Sequence, residues 1–216
     1  MITLPTDAEM VQVASSTYTT TAAPFIDHDG TPDRVFLTTR ADGMLEFAIE
    51  GTYNLPGWVN DFLALGVRDH EVTNHPTLGF LHAGFYESAI RLLPRMELAA
   101  KGKSFSVQGH SRGASLALLL GALMIDDGMS PVKVGAFAPA RIGGALCVKI
   151  ATSIPFCAYR FGNDPVPEVP FTLLPDFPYQ QVPLTMIGHP MLVAVDCHNI
   201  ANYVTGVYNA VIGKES

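Results

Sequence analysis

The order of apolar strands and helices between residues 104 and 161 is the feature that most restricts how this chain can fold. The pattern predicts strands at 104–108, 132–137 and 156–161, with helices at 114–125 and 142–150 between them. Mostly apolar strands that alternate with helices are typical of a buried parallel sheet with helices on both faces. The sequence therefore predicts an α/β fold in which the loops after the strands meet at one edge of the sheet.

Weaker patterns extend this prediction on both sides. Residues 35–40 and 44–50 are expected to form two strands joined by a hairpin turn at Ala41-Asp42-Gly43. Helical spacing predicts helices at 56–65 and 83–100, the second with a kink or a break at Pro94. Beyond them we expect an irregular proline-rich stretch at 165–190, a last strand at 191–195 and a closing helix at 198–212.

Length and composition narrow the class of protein. The chain has 216 residues, of which 48% are hydrophobic and 15% charged, so one domain over residues 1–216 with a large core is expected. The formal net charge is −7 and Lys and Arg form no cluster, which disfavours nucleic-acid binding and docking to anionic membranes. The substrate is expected to be neutral, or to be held by shape rather than charge.

The N-terminus and the cysteines bear on cellular location. Residues 1–16 lack the basic region and apolar stretch of a signal peptide, so a cytoplasmic location is expected, with secretion by another route left open. The spacing of Cys147, Cys157 and Cys197 fits neither a disulfide scaffold nor a zinc site. Free buried thiols are the simplest interpretation, and neither a metal nor a cofactor is expected.

The pentapeptide Gly109-His110-Ser111-Arg112-Gly113 matches G-x-S-x-G between a predicted strand and a predicted helix. In a nucleophile elbow the glycines permit close approach of strand and helix, and the serine adopts a strained backbone conformation. The hydroxyl then lies at a helix N-terminus, where free N–H groups favour developing negative charge. An ordinary turn capped by serine is the alternative. We predict that Ser111 is a nucleophile.

A serine hydroxyl needs a base to accept its proton, and in an α/β-hydrolase arrangement an acid and then a histidine follow the nucleophile. Of the two late histidines, His198 is favoured over His189 because it follows the strand predicted at 191–195. Asp164 is the preferred acid because it follows the strand predicted at 156–161 through a two-residue turn.

Other carboxylates are weaker candidates for the acid. Asp176 in the proline-rich stretch is the runner-up. Asp126 and Asp127 close a helix and should be solvated, and Asp196 lies too close to His198 in sequence to orient its imidazole. The predicted triad is therefore Ser111, His198 and Asp164.

With these residues in place, the chain resembles the class 3 (fungal-type) lipase family. The elbow resembles that family's G-H-S-x-G-x-x-L, although Leu116 falls one position early. Five further segments occur in the family's order, namely Glu50-Gly51-Thr52 with Trp58 and Asp61, His82-Ala83-Gly84-Phe85, residues 137–143, Asn163-Asp164-Pro165-Val166-Pro167, and His198 followed by Tyr203. The resemblance covers most of the chain from about Val35 to Tyr203 and implies an α/β-hydrolase fold.

The resemblance also implies roles for particular residues. It implies the same triad, and an oxyanion hole built from the backbone N–H groups of Thr52 and Arg112. It implies that His82 and His110 are structural. Two residues depart from the family pattern. Arg112 replaces the usual leucine, so its cation either faces the pocket or pairs with an acid. Glu50 replaces the usual arginine.

In this resemblance the segment after Thr52 can cover the site as a lid, with Trp58 and Phe62 as its apolar face; a helix that simply packs on the sheet is the alternative. The predicted activity is hydrolysis of glycerides or other neutral lipid-like esters through an acyl-enzyme, with transient contact to a lipid interface. A thioesterase, phospholipase or acyltransferase with the same triad remains an alternative, as does a non-catalytic binding module on this fold.

Overall fold

A mostly parallel sheet forms the centre of the molecule. The computed structural model describes residues 2–28, 30–52, 72–170 and 179–213. Its strands are β1 (Ile26–Asp27), β2 (Arg34–Thr39), β3 (Leu45–Ile49), β4 (Val72–His75), β5 (Gly79–His82), β6 (Phe105–His110), β7 (Lys133–Phe137), β8 (Phe156–Phe161) and β9 (Thr185–Ile187). Within the described residues seven strands form one sheet in the order β1-β2-β3-β6-β7-β8-β9, and β4 pairs with β5 in a separate hairpin.

Strand direction places the ends of the central strands together. Strands β3, β6, β7, β8 and β9 run parallel, while β1 and β2 are antiparallel additions at one edge. The register pairs Ile49 with Gly109 and His110 with Phe137. The turn after β6 therefore rises at the middle of the sheet, flanked by the ends of β3 and β7.

Helices cover both faces of this sheet. They are α1 (Asp7–Ser16), α2 (Ala83–Ala100), α3 (Arg112–Asp126), α4 (Ala145–Ala151) and α5 (Ile200–Val211), with 3₁₀ turns at Val166–Glu168 and Ala194–His198. One face packs on α2, α3 and α4, and residues 112–124 of α3 are all buried. On the other face Met10 of α1 and Tyr203 of α5 pack against Phe137 and Tyr159. The predicted layered α/β architecture is confirmed.

One prediction about an individual element is wrong, and another is wrong in one of its two alternatives. Of the kink or break predicted at Pro94, the break does not occur, because α2 runs from Ala83 to Ala100; the kink stays a prediction. Pro94 and Ile90 are both exposed, so water can satisfy the Ile90 carbonyl that loses its helical donor. The last strand is Thr185–Ile187 rather than 191–195, whose first three residues are exposed. An apolar run predicts a strand only where a neighbouring strand is free to pair with it.

Two further predicted elements are present, and one helix was not predicted. The hairpin of β2 and β3 and the strand Phe156–Phe161 are confirmed. The helix α1 was not predicted, although Thr6 and Glu9 form a capping box at its start.

The helix predicted at 56–65 lies outside the described residues, and the single domain over 1–216 stays a prediction. Among the described residues, no helix combines the length and apolarity that a membrane span requires.

Candidate active site

The turn that carries Ser111 has the geometry of a nucleophile elbow. Ser111 links β6 directly to α3 and has φ 59° and ψ −128°, a conformation that L-residues rarely adopt. A Cβ atom at Gly109 would lie 2.4 Å from the backbone of Gly113, and one at Gly113 would lie 2.3 Å from the Ile49 carbonyl oxygen. Glycine is therefore required at both positions by close backbone approach, and the packed backbone around Ser111 holds its strained conformation.

The turn is held to the neighbouring strand and buried. The Ser111 N–H donates a 2.8 Å hydrogen bond to the carbonyl of Phe137, the last residue of β7. The Ser111 side chain has no exposed surface, and its Oγ has no hydrogen-bond partner among the described residues. Arg112 is the first residue of α3, where a backbone N–H has no acceptor within its own helix. An unpaired hydroxyl and a helix N-terminus thus lie together.

Asp164 and His198 form a buried pair on the loops that follow β8 and β9. His198 Nδ1 lies 2.7 Å from Asp164 Oδ2, and both side chains are fully buried. The Val166 N–H donates a 2.9 Å hydrogen bond to the other carboxylate oxygen, Oδ1. A carboxylate that accepts from Nδ1 leaves Nε2 of the neutral ring without its proton, so that nitrogen can act as a base.

Tyr203 of α5 is a third partner of this carboxylate. Its hydroxyl donates a 2.6 Å hydrogen bond to Asp164 Oδ2 and accepts a 3.0 Å hydrogen bond from the Phe161 N–H. Burial, followed by the negative charge of Asp164, raises the pKa of Tyr203 well above its ordinary value. Tyr203 therefore keeps its proton and remains a donor to Asp164.

His198 lies beside the elbow. Its ring centroid is 4.7 Å from that of His110, the residue before Ser111. His198 Nε2 is buried and, like Ser111 Oγ, has no hydrogen-bond partner among the described residues. The structure thus brings the predicted base close to the predicted nucleophile without a hydrogen bond between them. Such contacts are often loose in ligand-free enzymes and tighten when substrate binds.

A cavity of about 540 Å³ opens next to this pair. The described residues that line it are Tyr18, Thr52, His110, Met191, Val195, Asp196, His198, Asn199, Ile200 and Asn202. The lining includes Thr52, one of the two predicted oxyanion residues, whose buried hydroxyl has no hydrogen-bond partner among the described residues. Asp196 is the one acidic residue of this set, which contains no Lys or Arg.

The side chain of Arg112 does not line this cavity. Its guanidinium forms an ion pair with the buried Asp33 and donates hydrogen bonds to Ser88 Oγ at 2.8 Å and the Pro32 carbonyl at 3.3 Å. Arg91 binds the other oxygen of Asp33. Burial alone would raise the pKa of Asp33, but Arg112 and then Arg91 outweigh it and lower the pKa. Of the two expected alternatives, the cation pairs with an acid.

Glu50, the second departure, also has a basic partner. Its carboxylate is buried and lies 3.6 Å from Arg34 Nη1. Burial raises the pKa of Glu50, and the positive charge of Arg34 offsets only part of that rise. Glu50 therefore helps to join β2 to the end of β3, immediately before the segment that carries Thr52.

The weaker candidates lie elsewhere or outside the described residues. His189 is exposed, whereas His198 is fully buried. Asp126, Asp127 and Asp196 are exposed. Asp176 and the possible lid residues, Trp58 and Phe62, lie outside the described residues.

The expected structural histidines have identifiable contacts. His82 is the N-cap of α2 and accepts a hydrogen bond from the Phe85 N–H. His110 packs between Tyr18, His198 and Tyr203.

Cys147, Cys157 and Cys197 are free and buried, and burial raises the pKa of Cys147 to about 12. Within the described part of the chain, no group of three or more His, Cys, Asp or Glu side chains could hold a metal ion.

Sequence reasoning missed two residues around the site and the contact of a third. The hydrogen bond from Tyr203 to Asp164 was not predicted, although a tyrosine after the late histidine was part of the resemblance. Asp33 and Tyr18 were not predicted at all, because each lies about 80 or more residues from its partner at the elbow and belongs to no short motif. Only the fold reveals such contacts.

Comparison with known proteins identifies similar chains. The sequence model of the family described as lipase (class 3) matches residues 46–174. A member of a family of fungal lipases described as having an unusual buried polar cluster is 21% identical, with 84% of this chain and 78% of that chain covered and a TM-score of 0.64. A triacylglycerol lipase from Penicillium expansum is 15% identical, with 85% and 77% covered and a TM-score of 0.59.

Lipase II from Rhizopus niveus is 20% identical, with a TM-score of 0.60 and 76% of this chain covered. This chain spans 64% of that lipase, which is less than two thirds of its length. No curated protein sequence matches the chain. The structural likenesses confirm the predicted α/β-hydrolase fold.

Proposed function

Because the chain belongs to the class 3 lipase family, a family of carboxylic ester hydrolases, we propose that it cleaves acyl esters with Ser111 as nucleophile. His198 is the general base, and Asp164 orients it. The observation that carries this proposal is the fully buried hydrogen bond of 2.7 Å between Asp164 and His198, beside a serine on a strained strand-to-helix turn. Such a pair matches the acid and base of a catalytic triad.

The reaction proceeds by acyl transfer to the enzyme and then to water. His198 Nε2 accepts the proton of Ser111 as its oxygen attacks the ester carbonyl. The resulting oxyanion is stabilised by the backbone N–H groups of Thr52 and Arg112, each worth about 3 kcal/mol. His198 donates its proton to the leaving alcohol, and a water molecule then hydrolyses the acyl-enzyme by the same route. Throughout, Asp164 stabilises the imidazolium form of His198.

Hydrolysis of nitrophenyl esters of graded chain length tests this proposal. Replacement Ser111→Ala is expected to lower kcat by a factor of about 10⁴ to 10⁶. A fluorophosphonate probe should label the wild type and leave Ser111→Ala unlabelled. Exposed Ser16 on α1 is the matched control position, and Ser16→Ala should retain both activity and labelling. Unchanged ester hydrolysis by the Ser111 variant would rule out the assignment.

We propose glycerides or other neutral lipid-like esters as substrates. No Lys or Arg is present among the described residues that line the cavity beside His198. A phospholipid or coenzyme A thioester carries phosphate, for which Arg or Lys is the usual protein partner. The lining therefore favours an uncharged ester. The similarity to a triacylglycerol lipase from Penicillium expansum agrees with this choice.

The alternatives differ in acyl donor and acceptor. A thioesterase prefers thioesters, a phospholipase prefers a phosphate-bearing head group, and an acyltransferase prefers an alcohol acceptor over water. A substrate panel that varies head group and acceptor separates these activities from ester hydrolysis. A binding module would neither react with the fluorophosphonate probe nor turn over any ester in the panel.

An exposed apolar loop supports the proposed contact with a lipid interface. Met191, Leu192 and Val193 are consecutive and exposed, and Leu192 is fully so. The side chain of Asn163, next to Asp164, donates to the Met191 carbonyl and accepts from the Met191 N–H, which fixes the loop. Met191 also lines the cavity beside His198. We propose that this loop inserts into the surface of a neutral lipid phase and brings the cavity to its substrate.

A further inference from the structure

Tyr18 lies at the active site although it precedes residues 46–174, the part of the chain that matches the family. It follows α1, the N-terminal helix, and it lines the cavity with Thr52, His110 and His198. Its hydroxyl is 3.0 Å from His110 Nδ1, and its ring meets the His110 ring edge-on at 5.8 Å. A residue from the N-terminal segment thus touches the histidine beside the nucleophile.

The same hydroxyl packs on the segment that carries Thr52. A Cβ atom added to Gly51 would lie 2.0 Å from the Tyr18 oxygen and 2.8 Å from the His110 carbonyl oxygen. Gly51 therefore lies directly against both Tyr18 and His110, without room for a side chain. Because Thr52 follows Gly51, Tyr18 restricts the position of a proposed oxyanion donor as well as that of His110.

His110 in turn covers one side of His198. The two ring centroids are 4.7 Å apart, with an angle of 36° between the ring planes. Burial, followed by the charge of His198, lowers the pKa of His110 well below its ordinary range. His110 is therefore a neutral ring, which does not repel the imidazolium that His198 must form during catalysis.

We propose that Tyr18 is a positioning residue for catalysis, which acts through His110 to hold the His198 ring and through Gly51 to hold Thr52. This inference rests on the proposed function. The hydrogen bond between the Tyr18 hydroxyl and Nδ1 holds one orientation of the His110 ring. That ring packs on His198 and limits its movement, while Asp164 holds the imidazole by Nδ1.

The replacement Tyr18→Phe tests this proposal because it removes the hydroxyl and keeps the ring. We expect kcat on a soluble nitrophenyl ester to fall about 10-fold, which corresponds to one hydrogen bond of transition-state stabilisation, with KM within about twofold of the wild type. Tyr208→Phe, at an exposed position on α5, is the matched control and should leave kcat unchanged. Tyr18→Phe should add no further loss of kcat in a His110→Asn background.

Imidazole ¹⁵N NMR spectra of His110 and His198 provide a readout that is independent of turnover. In Tyr18→Phe the ¹⁵N shifts of both rings should change, while those in Tyr208→Phe match the wild type. Wild-type kcat in Tyr18→Phe, a loss that is additive with His110→Asn, or unchanged His198 shifts would each overturn the inference. If the wild type hydrolyses no ester, the proposed function fails, and the NMR comparison still decides whether Tyr18 positions His198.

Discussion

Tyr203 donates a hydrogen bond of 2.6 Å to Asp164 Oδ2, the same oxygen that accepts from His198 Nδ1. Asp164 also accepts from the Val166 N–H, so three donors surround one buried carboxylate. These three hydrogen bonds hold the Asp164 carboxylate in one position, which the orientation of His198 requires.

Replacement Tyr203→Phe removes one of these donors. We expect kcat for a soluble ester to fall about 10-fold, because a hydrogen bond to a charged group is worth about 1.5–3 kcal/mol. The Phe161 N–H also loses its acceptor, so the free energy of unfolding should fall by about 1–3 kcal/mol. Urea unfolding and ester kinetics measure the two effects. Tyr208→Phe on the same helix is the control, and equal behaviour of the two variants would contradict the role of Tyr203.

Asp33 holds the side chains of Arg112 and Arg91 together at a buried position. Asp33→Asn leaves both guanidinium groups without their carboxylate, and it should lower the free energy of unfolding by about 3 kcal/mol. The matched control is Asp27→Asn, which breaks the exposed pair with Arg34 and should cost less than about 1 kcal/mol. Urea unfolding at neutral pH compares the variants, and a similar cost for both would show that burial of Asp33 is unimportant.

The same pair predicts a dependence of stability on pH. The pKa of Asp33 is lower in the folded chain than in the unfolded chain. Its stabilising effect is therefore present above the unfolded pKa of about 3.9 and is lost as pH falls through the lower, folded value. The difference in unfolding free energy between wild type and Asp33→Asn should narrow as the pH is lowered from 5 to below about 3.9. A difference that stays constant over this range would contradict the assignment.

Paired replacement of Leu192 and Val193 by Ser tests the lipid-surface contact. In a Ser111→Ala background, binding to phosphatidylcholine-coated triglyceride emulsions should weaken at least about 10-fold, because two exposed apolar side chains no longer insert. Leu98→Ser is the control, since Leu98 is also exposed but lies near the C-terminal end of α2, at the opposite end of the sheet from Ser111. In enzymes that retain Ser111, hydrolysis of a soluble ester should be the same for wild type and the paired variant. Equal emulsion binding by the Leu98 and the paired variants would exclude this loop as the contact.

Local patterns predicted the elements that position the site. The alternation of apolar strands and helices from 104 to 161 indicated a parallel sheet because such strands must be buried on both faces. Gly109 and Gly113 indicated the elbow because only glycine permits backbones to approach so closely. The strand 191–195 was wrong because apolar character alone does not distinguish a buried strand from an exposed loop, and Leu192 is fully exposed.

The sequence by itself determined which residue types could perform the chemistry and in what order they occur, because a nucleophile, an acid and a base have fixed chemical requirements. Only the tertiary structure decided which distant side chains support them. Tyr18 reaches His110, Asp33 reaches Arg112 and Tyr203 reaches Asp164 across 92, 79 and 39 positions of the chain. Such contacts leave no local spacing pattern, because they exist only after strands and helices have packed into one core.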